Sequence, residues 1–203
     1  MSDYRVLQDI SLHIRGLLFD GLAGDDEVGS SFTSENNISL DSPADLADAN
    51  SDALISWYLY QVLPNAHMNN QDMVPIRNDQ QQFPPVSLDL SFLLTPMSNS
   101  PQEDLVILGH AIQILAANSI VRANFLNSDL RPMRPEVRIT TNPVNLEELT
   151  RIWSAFNEPY RLSVCYQVQT VSIDSSRVPL EQRAVSAGLI DFSQIPPGNG
   201  VQQ

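Results

Sequence analysis

The chain reads as a single α+β domain: a mixed, mostly antiparallel sheet with about three helices packed on it. Three observations lead there. Three stretches place apolar residues at the three-and-four spacing of one helix face, while others alternate or run apolar as strands do. Their order is helix, short strand, strand, strand, helix, strand, helix, strand, which lacks the regular alternation of a parallel, doubly wound sheet. Of 203 residues 42% are hydrophobic and only 17% charged. A domain of that size buries roughly 70% of the surface its unfolded chain exposes, so it needs neither disulfides nor metal to fold.

The first helix runs from Asp3 to about Leu22, with Leu7, Ile10, Ile14, Leu17 and Leu18 on its inner face. Gly21 and Gly24 end it, and Gly24 to Asn37, rich in acids, Ser and Asn, reads as an exposed loop. A short strand follows at Ile38 to Leu40, then a helical start at Pro43 to Leu46, where proline suits the first helical position. Leu54 to Leu63 is crowded with aromatic and branched residues on both faces, which predicts a central strand covered on two sides. Asn65 to Pro85, rich in amides, reads as a long exposed loop.

Val86, Leu88, Leu90, Phe92 and Leu94 alternate with Ser87, Asp89, Ser91 and Leu93, a strand with one core face that stops at Pro96. Ser100-Pro101-Gln102-Glu103 then opens a helix: a serine cap, proline at the first position, and a glutamate placed to reach back. Leu105, Leu108, Ile112 and Leu115 are its expected buried stripe. Val137, Ile139 and Thr141 form a further strand. Asn145 caps a third helix, with Glu148 at the capping-box position and Leu146, Leu149, Ile152, Trp153 and Phe156 on the apolar face. Glu147 and Arg151 add a surface pair of about 0.3 kcal/mol. Tyr160 to Ile173 is the longest strand, with Tyr160, Leu162, Val164, Tyr166 and Val168 on one face and a mostly polar other face. The domain is expected to span residues 1–175. Residues 176–203 read as an extended C-terminal arm with one apolar knot: Leu189, Ile190, Phe192 and Ile195.

Charge excludes several functions. All 11 basic residues are arginine, which removes every mechanism that needs a lysine amine, from the phosphate-loop lysine to the Schiff base. Against 24 acids the formal net charge is −13, the wrong sign for sequence-independent nucleic-acid binding or an anionic membrane. Ten of those acids fall between Gly16 and Ile76, where there is no arginine. No run is apolar and long enough to span a bilayer, and nothing near Met1 reads as a secretion signal.

Chemistry is sparse. His13, His67 and His110 lie far apart and none has metal-ligand spacing. His110 stands about 200° round from the expected stripe and should face outward, as a solvated or interface residue. Cys165, the lone cysteine, has no adjacent histidine to make a thiolate and reads as a small packing residue. Asp25-Asp26-Glu27 lacks the alternate spacing of a calcium loop and reads as a solvated, self-repelling turn. No catalytic residue, cofactor or metal site is expected. The arm's knot is the exception: it either packs on its own domain or adds to a neighbouring subunit at a strand edge.

Several segments taken together carry a resemblance: SPADL (Ser42 to Leu46), WYLYQVLPNAHMNN (Trp57 to Asn70), PPVSLDLSFLLTP (Pro84 to Pro96), LGHAIQILAANSI (Leu108 to Ile120) and, most specific, NLEELTRIWSAFNEPYRLSVCYQV (Asn145 to Val168). Over roughly residues 3 to 175 the chain resembles the N-terminal domain of the tail-terminator, or cap, proteins of phage-tail-like contractile injection particles of the antifeeding-prophage and virulence-cassette type. The resemblance implies a tail-terminator-like fold and a six-fold ring that ends tube and sheath polymerisation and joins sheath to tube at the distal end. It implies partners, namely further copies of itself and the sheath and tube proteins, with assembly in the bacterial cytoplasm, and no catalysis. The crowding of acids from Gly24 to Asp52 departs from the pattern. A monomeric adaptor or baseplate-associated module is the alternative, and a hydrolase built from converging histidines is a third reading.

Overall fold

Consecutive residues Phe92, Leu93 and Leu94 are all buried, and the architecture follows from that fact. In an extended chain neighbours point to opposite faces, so a strand buried at every position is covered on both. The computed structural model describes residues 4–48, 51–66, 68, 73–77, 80–122, 136–173 and 180–181. In it the strand carrying these residues, β5 (Val86–Pro96), lies between β2 (Ile55–Pro64) and β8 (Val164–Ile173).

The main sheet has six strands in the order β1-β2-β5-β8-β7-β6, with β1 (Ile38–Ser39), β6 (Ile120–Arg122) and β7 (Glu136–Thr141) completing it. Only the β1–β2 pair is parallel, so the sheet is mixed and mostly antiparallel. Helices α1 (Val6–Ala23) and α3 (Pro101–Ala117) cover one face and α4 (Leu146–Phe156) the other, while the short α2 (Pro43–Asp48) follows β1. The α+β expectation holds. The single strand Tyr160 to Ile173 starts later, at Val164, leaving Tyr160 and Leu162 outside the sheet and exposed.

The larger core lies under α1 and α3. Ile10, Ile14, Leu18 and Leu22 descend from α1 onto Leu90, Phe92, Leu94, Tyr166 and Val168. At its centre Trp57 stacks on Phe92, ring centroids 4.6 Å apart and 6° from parallel, with Tyr166 tilted beside it at 5.7 Å. Register fixes this cluster, because Trp57 pairs with Leu94 and Phe92 pairs with Tyr166. The two helices close over it at Gly21, where a methyl group would stand 2.5 Å from Cδ1 of Ile114.

The smaller core is built from the alternate residues. Leu93 pairs with Cys165, and Trp153 of α4 lies on both. Tyr58 and Tyr60 reach the same side from β2, Tyr58 meeting Phe156 edge-on at 5.7 Å. The expected polar back of β8 is therefore roofed: Ser163 and Cys165 are buried, and Ser163 Oγ accepts a hydrogen bond from Trp153 Nε1 at 3.2 Å. The cap residues of α3 and α4 are those the sequence predicts. Asn145 accepts from the Glu148 N–H at 2.9 Å, Ser100 accepts from the Glu103 N–H, and Arg151 meets Glu147 at 2.6 Å.

Other expectations need correction. The buried stripe of α3 is Ile107, Leu108, Ala111, Ile114 and Leu115; Leu105 and Ile112 point outward, because the helix carries apolar residues on both sides and the three-and-four rule fits either. Glu103 does not reach back to its cap but accepts a hydrogen bond from Ser31 at 3.2 Å. Strand β2 is fully buried only as far as Trp57, half-buried from Tyr58 to Tyr60 and exposed from Gln61 to Pro64. The supposed loop Gly24 to Asn37 holds two 3₁₀ turns and buries Val28 and Phe32. Within Asn65 to Pro85 lie β3 (Val74–Arg77) and β4 (Gln80–Gln82), which form a second, antiparallel sheet with β9 (Leu180–Glu181).

Replacing Trp57 by alanine removes the stack and leaves a cavity, and should lower the unfolding free energy by about 3–5 kcal/mol in urea titrations. Leu146→Ala, at a side chain 65% exposed, should change it by less than about 0.5 kcal/mol.

Candidate assembly surfaces

The groups that most resemble chemistry are tied into packing. Cys165 sits between Leu93 and Trp153, and burial pushes its thiol pKa up, so the nucleophilic thiolate is disfavoured. Tyr60 beside it is pushed up to about 12, chiefly by burial and then by Cys165. His13 on α1 is partly buried, which lowers its pKa. His67 lies outside the described residues. Among the described residues no three His, Cys, Asp or Glu side chains gather closely enough to hold a metal ion.

His110 and the acidic turn are not the separate, solvated features the sequence suggests. His110 Nδ1 lies 3.3 Å from Asp25 Oδ2, joining α3 to the turn after α1. The other oxygen of Asp25 accepts from the backbone N–H groups of Glu27 at 2.8 Å and Val28 at 3.0 Å. Those two bonds, Val28 first, hold the Asp25 carboxyl below the usual carboxylate range, and His110 adds a smaller push the same way. Beside the pair is an open groove of about 500 Å³ between α1 and α3, lined by Leu17, Asp20, Gly21, His110, Gln113 and Ile114. It has one acid and one imidazole and no nucleophile.

What remains is edge and patch. Among the described residues β1 covers β2 only at Ile55 and Ser56, so from Trp57 onward the outer edge of β2 has no strand beside it. Strand β6 forms the opposite edge. Unpaired edges present a row of N–H and C=O groups that accept another strand. Val62, Leu63 and Val86 are exposed toward the shared end of β2 and β5, and Leu105 and Ile112 are exposed on α3. The sequence reading missed these surfaces except as unnamed strand edges. Absence of charge, read together with an apolar second face on α3, was the signal available for finding them. The knot Leu189, Ile190, Phe192 and Ile195 lies outside the described residues, as does 182–203 throughout. Within the stretch read as the arm, Leu180 pairs with Gln81 and Glu181 with Gln80.

Among the described residues the domain is a mixed sheet covered by helices on both faces, with open edges at β2 and β6. The fold is that of a sheath/tube terminator from an extracellular contractile injection system, designated PVC and solved in its extended state: TM-score 0.60 over 94% of this chain and 65% of that one, at 16% identity. The family model for the Pvc16 N-terminal domain matches residues 9–187, and the chain belongs to that family. A weaker structural likeness is to the anti-feeding prophage cap, a tube-terminating cap, with TM-score 0.49 and 20% identity over 73% of this chain and 51% of that one. No curated protein matches significantly in sequence. The chain thus spans a little under two thirds of the terminator's length.

Because its folded pKa is depressed, Asp25 contributes stability that is fully present above 3.8 and is lost as pH falls through the lower, folded value. Asp25→Asn keeps an acceptor but not the charge. The mutant should melt below the wild type at neutral pH, and the gap between the two melting temperatures should close on acidification below that value.

Proposed function

We propose that this chain is the terminating cap of a contractile injection particle, ending growth of tube and sheath at the distal end and joining the two. The single observation that carries the reading is a terminator's fold over 94% of the chain, in a member of the Pvc16 N-terminal domain family. The domain works as a structural part. Its partners are further copies of itself, in a homohexameric ring, and the sheath and tube proteins it closes off. Assembly takes place in the bacterial cytoplasm, and the finished particle is of the extracellular type.

A ring needs each copy to offer two unlike patches, because head-to-tail contacts close only by rotation. Residues 176–203 act as an arm, and Leu189, Ile190, Phe192 and Ile195 anchor it on a neighbouring copy or on sheath. Strand edges such as those of β2 and β6 are the acceptors, since main-chain pairing supplies affinity and alternate side-chain pockets supply register.

Electron microscopy of particles made without this protein tests the cap reading. Tubes and sheaths of irregular length with unfinished far ends are expected; particles of normal extent and normal termini would refute it. Deleting Gly188 to Gln203 tests the arm. The shortened chain should keep its melting temperature and fail to cap, and normal capping by it would rule the arm out.

A further inference from the structure

The two longest stretches of this acidic chain without Asp, Glu, Lys or Arg are Ala53 to Gln71 and Leu105 to Val121. Each exposes apolar side chains. On α3, Leu105, Gly109, Ile112 and Ala116 recur at steps of four, three and four, all on the side away from the core. Leu105 is 61% exposed and Ile112 37%, and the space above Gly109 is open. Toward the shared end of β2 and β5, Val62 and Val86 lie on one face of the sheet, Val62 paired with Leu90 and Val86 two steps of two from it, and are 42% and 51% exposed. A helix apolar on both faces is ordinarily covered on both.

We propose that the outer stripe of α3 on one copy seats on the exposed Val62–Val86 face at the β2–β5 end of the next, and that this is a head-to-tail contact of the ring. The inference rests on the ring reading above and names the surfaces that reading requires.

Charge selects a second copy placed in this way. A chain of net charge −13 associates with itself only where the contact keeps acids apart. Stripe against stripe brings together Asp20 in the groove beside His110, the Asp25 turn bound to His110, and Glu103 and Asp104 in the first turn of α3. Stripe against the β2–β5 end avoids this. Among the described residues of β2 and β5 the one acid is Asp89, which lies on the opposite face from Val62 and already accepts from Asn65 Nδ2 at 2.8 Å. The two patches differ in shape, one helical and one strand, which is what a closing heterologous contact uses. Gly109 and Ala116 let a strand end approach the helix closely. The contact uses side chains at Val62 and Val86 and leaves the main-chain edge of β2 free for an arm.

Disulfide trapping tests the pairing, since the one native cysteine, Cys165, is buried. Full chains carrying Leu105→Cys and Val62→Cys are distinguished by a tag, and oxidised separately and mixed. At least tenfold more mixed dimer than either homodimer is expected. Predominant homodimers of the Leu105→Cys chain would mean stripe against stripe and overturn the proposal. The double variant Leu105→Ser/Ile112→Ser, checked for an unchanged melting temperature, should drop from ring to monomer mass by light scattering. Intact rings in that variant overturn this inference and leave the ring reading standing; if they also fail to cap, the stripe serves sheath or tube instead. Wild-type chain that is monomeric both in solution and on particles refutes the ring reading itself and this inference with it.

Discussion

The structure depends on one constraint: the β5–β8 pair must serve two different cores with alternate residues. Phe92, Leu94, Tyr166 and Val168 face α1 and α3, while Leu93 and Cys165 face α4. A slip of one residue between these strands would exchange the two sets. Trp153 would then meet a face without Ser163, leaving its buried Nε1–H without the acceptor it now has. That cost, about 1–3 kcal/mol for an unsatisfied buried donor, adds to the lost packing of the Trp57–Phe92 stack. Register is held by polar satisfaction on one face and aromatic packing on the other.

With both faces of the sheet centre occupied, interaction is pushed outward to the edges and to the backs of helices. For the assembly role proposed above, what matters is which outer surfaces are free of charge. Most are not: Asp20, Asp25, Asp26, Glu27, Glu35, Asp41, Asp45 and Asp48 crowd the α1 side and the segments after it. Arg15 meets one of them, Glu35, at 3.0 Å. Such acidity disfavours contact between copies wherever acids would meet, which is why the proposed contacts fall on the uncharged surfaces.

Local signals in the sequence were legible because they act locally. Ser100 and Asn145 cap their helices where the sequence places them, and Val137 and Ile139 alternate into the core. Longer-range facts were not legible. The six-residue β7 is read from its alternation, but its partner β6 has only three residues, too few for a period. The amides of β4 show no alternation of polarity at all. On α3 the pattern was visible but its phase was not: Leu105 and Ile112 fit an inner stripe as well as Ile107 and Ile114 do, and only packing against Gly21 decides. Val28 and Phe32, isolated among acids, give no periodic signal though both are buried. Of the candidate site, the sequence drew attention to the arm, whose knot lies outside the described residues, and overlooked the surfaces on α3 and the β2–β5 end.

An open strand edge is also a hazard, and β2 limits its own. The register shifts between Leu59 and Gln61, a bulge that breaks the even row of donors and acceptors. Pro64 ends the strand without an N–H to offer. Strand β1 already occupies Ile55 and Ser56. The free edge is therefore cut into short pieces on either side of a bulge, too irregular to template the indefinite stacking of long, flat strands. A short strand of defined register still finds enough main-chain partners to pair. Such an edge favours a limited addition over open-ended growth, and that is what the role proposed for this chain at the end of a polymer would require.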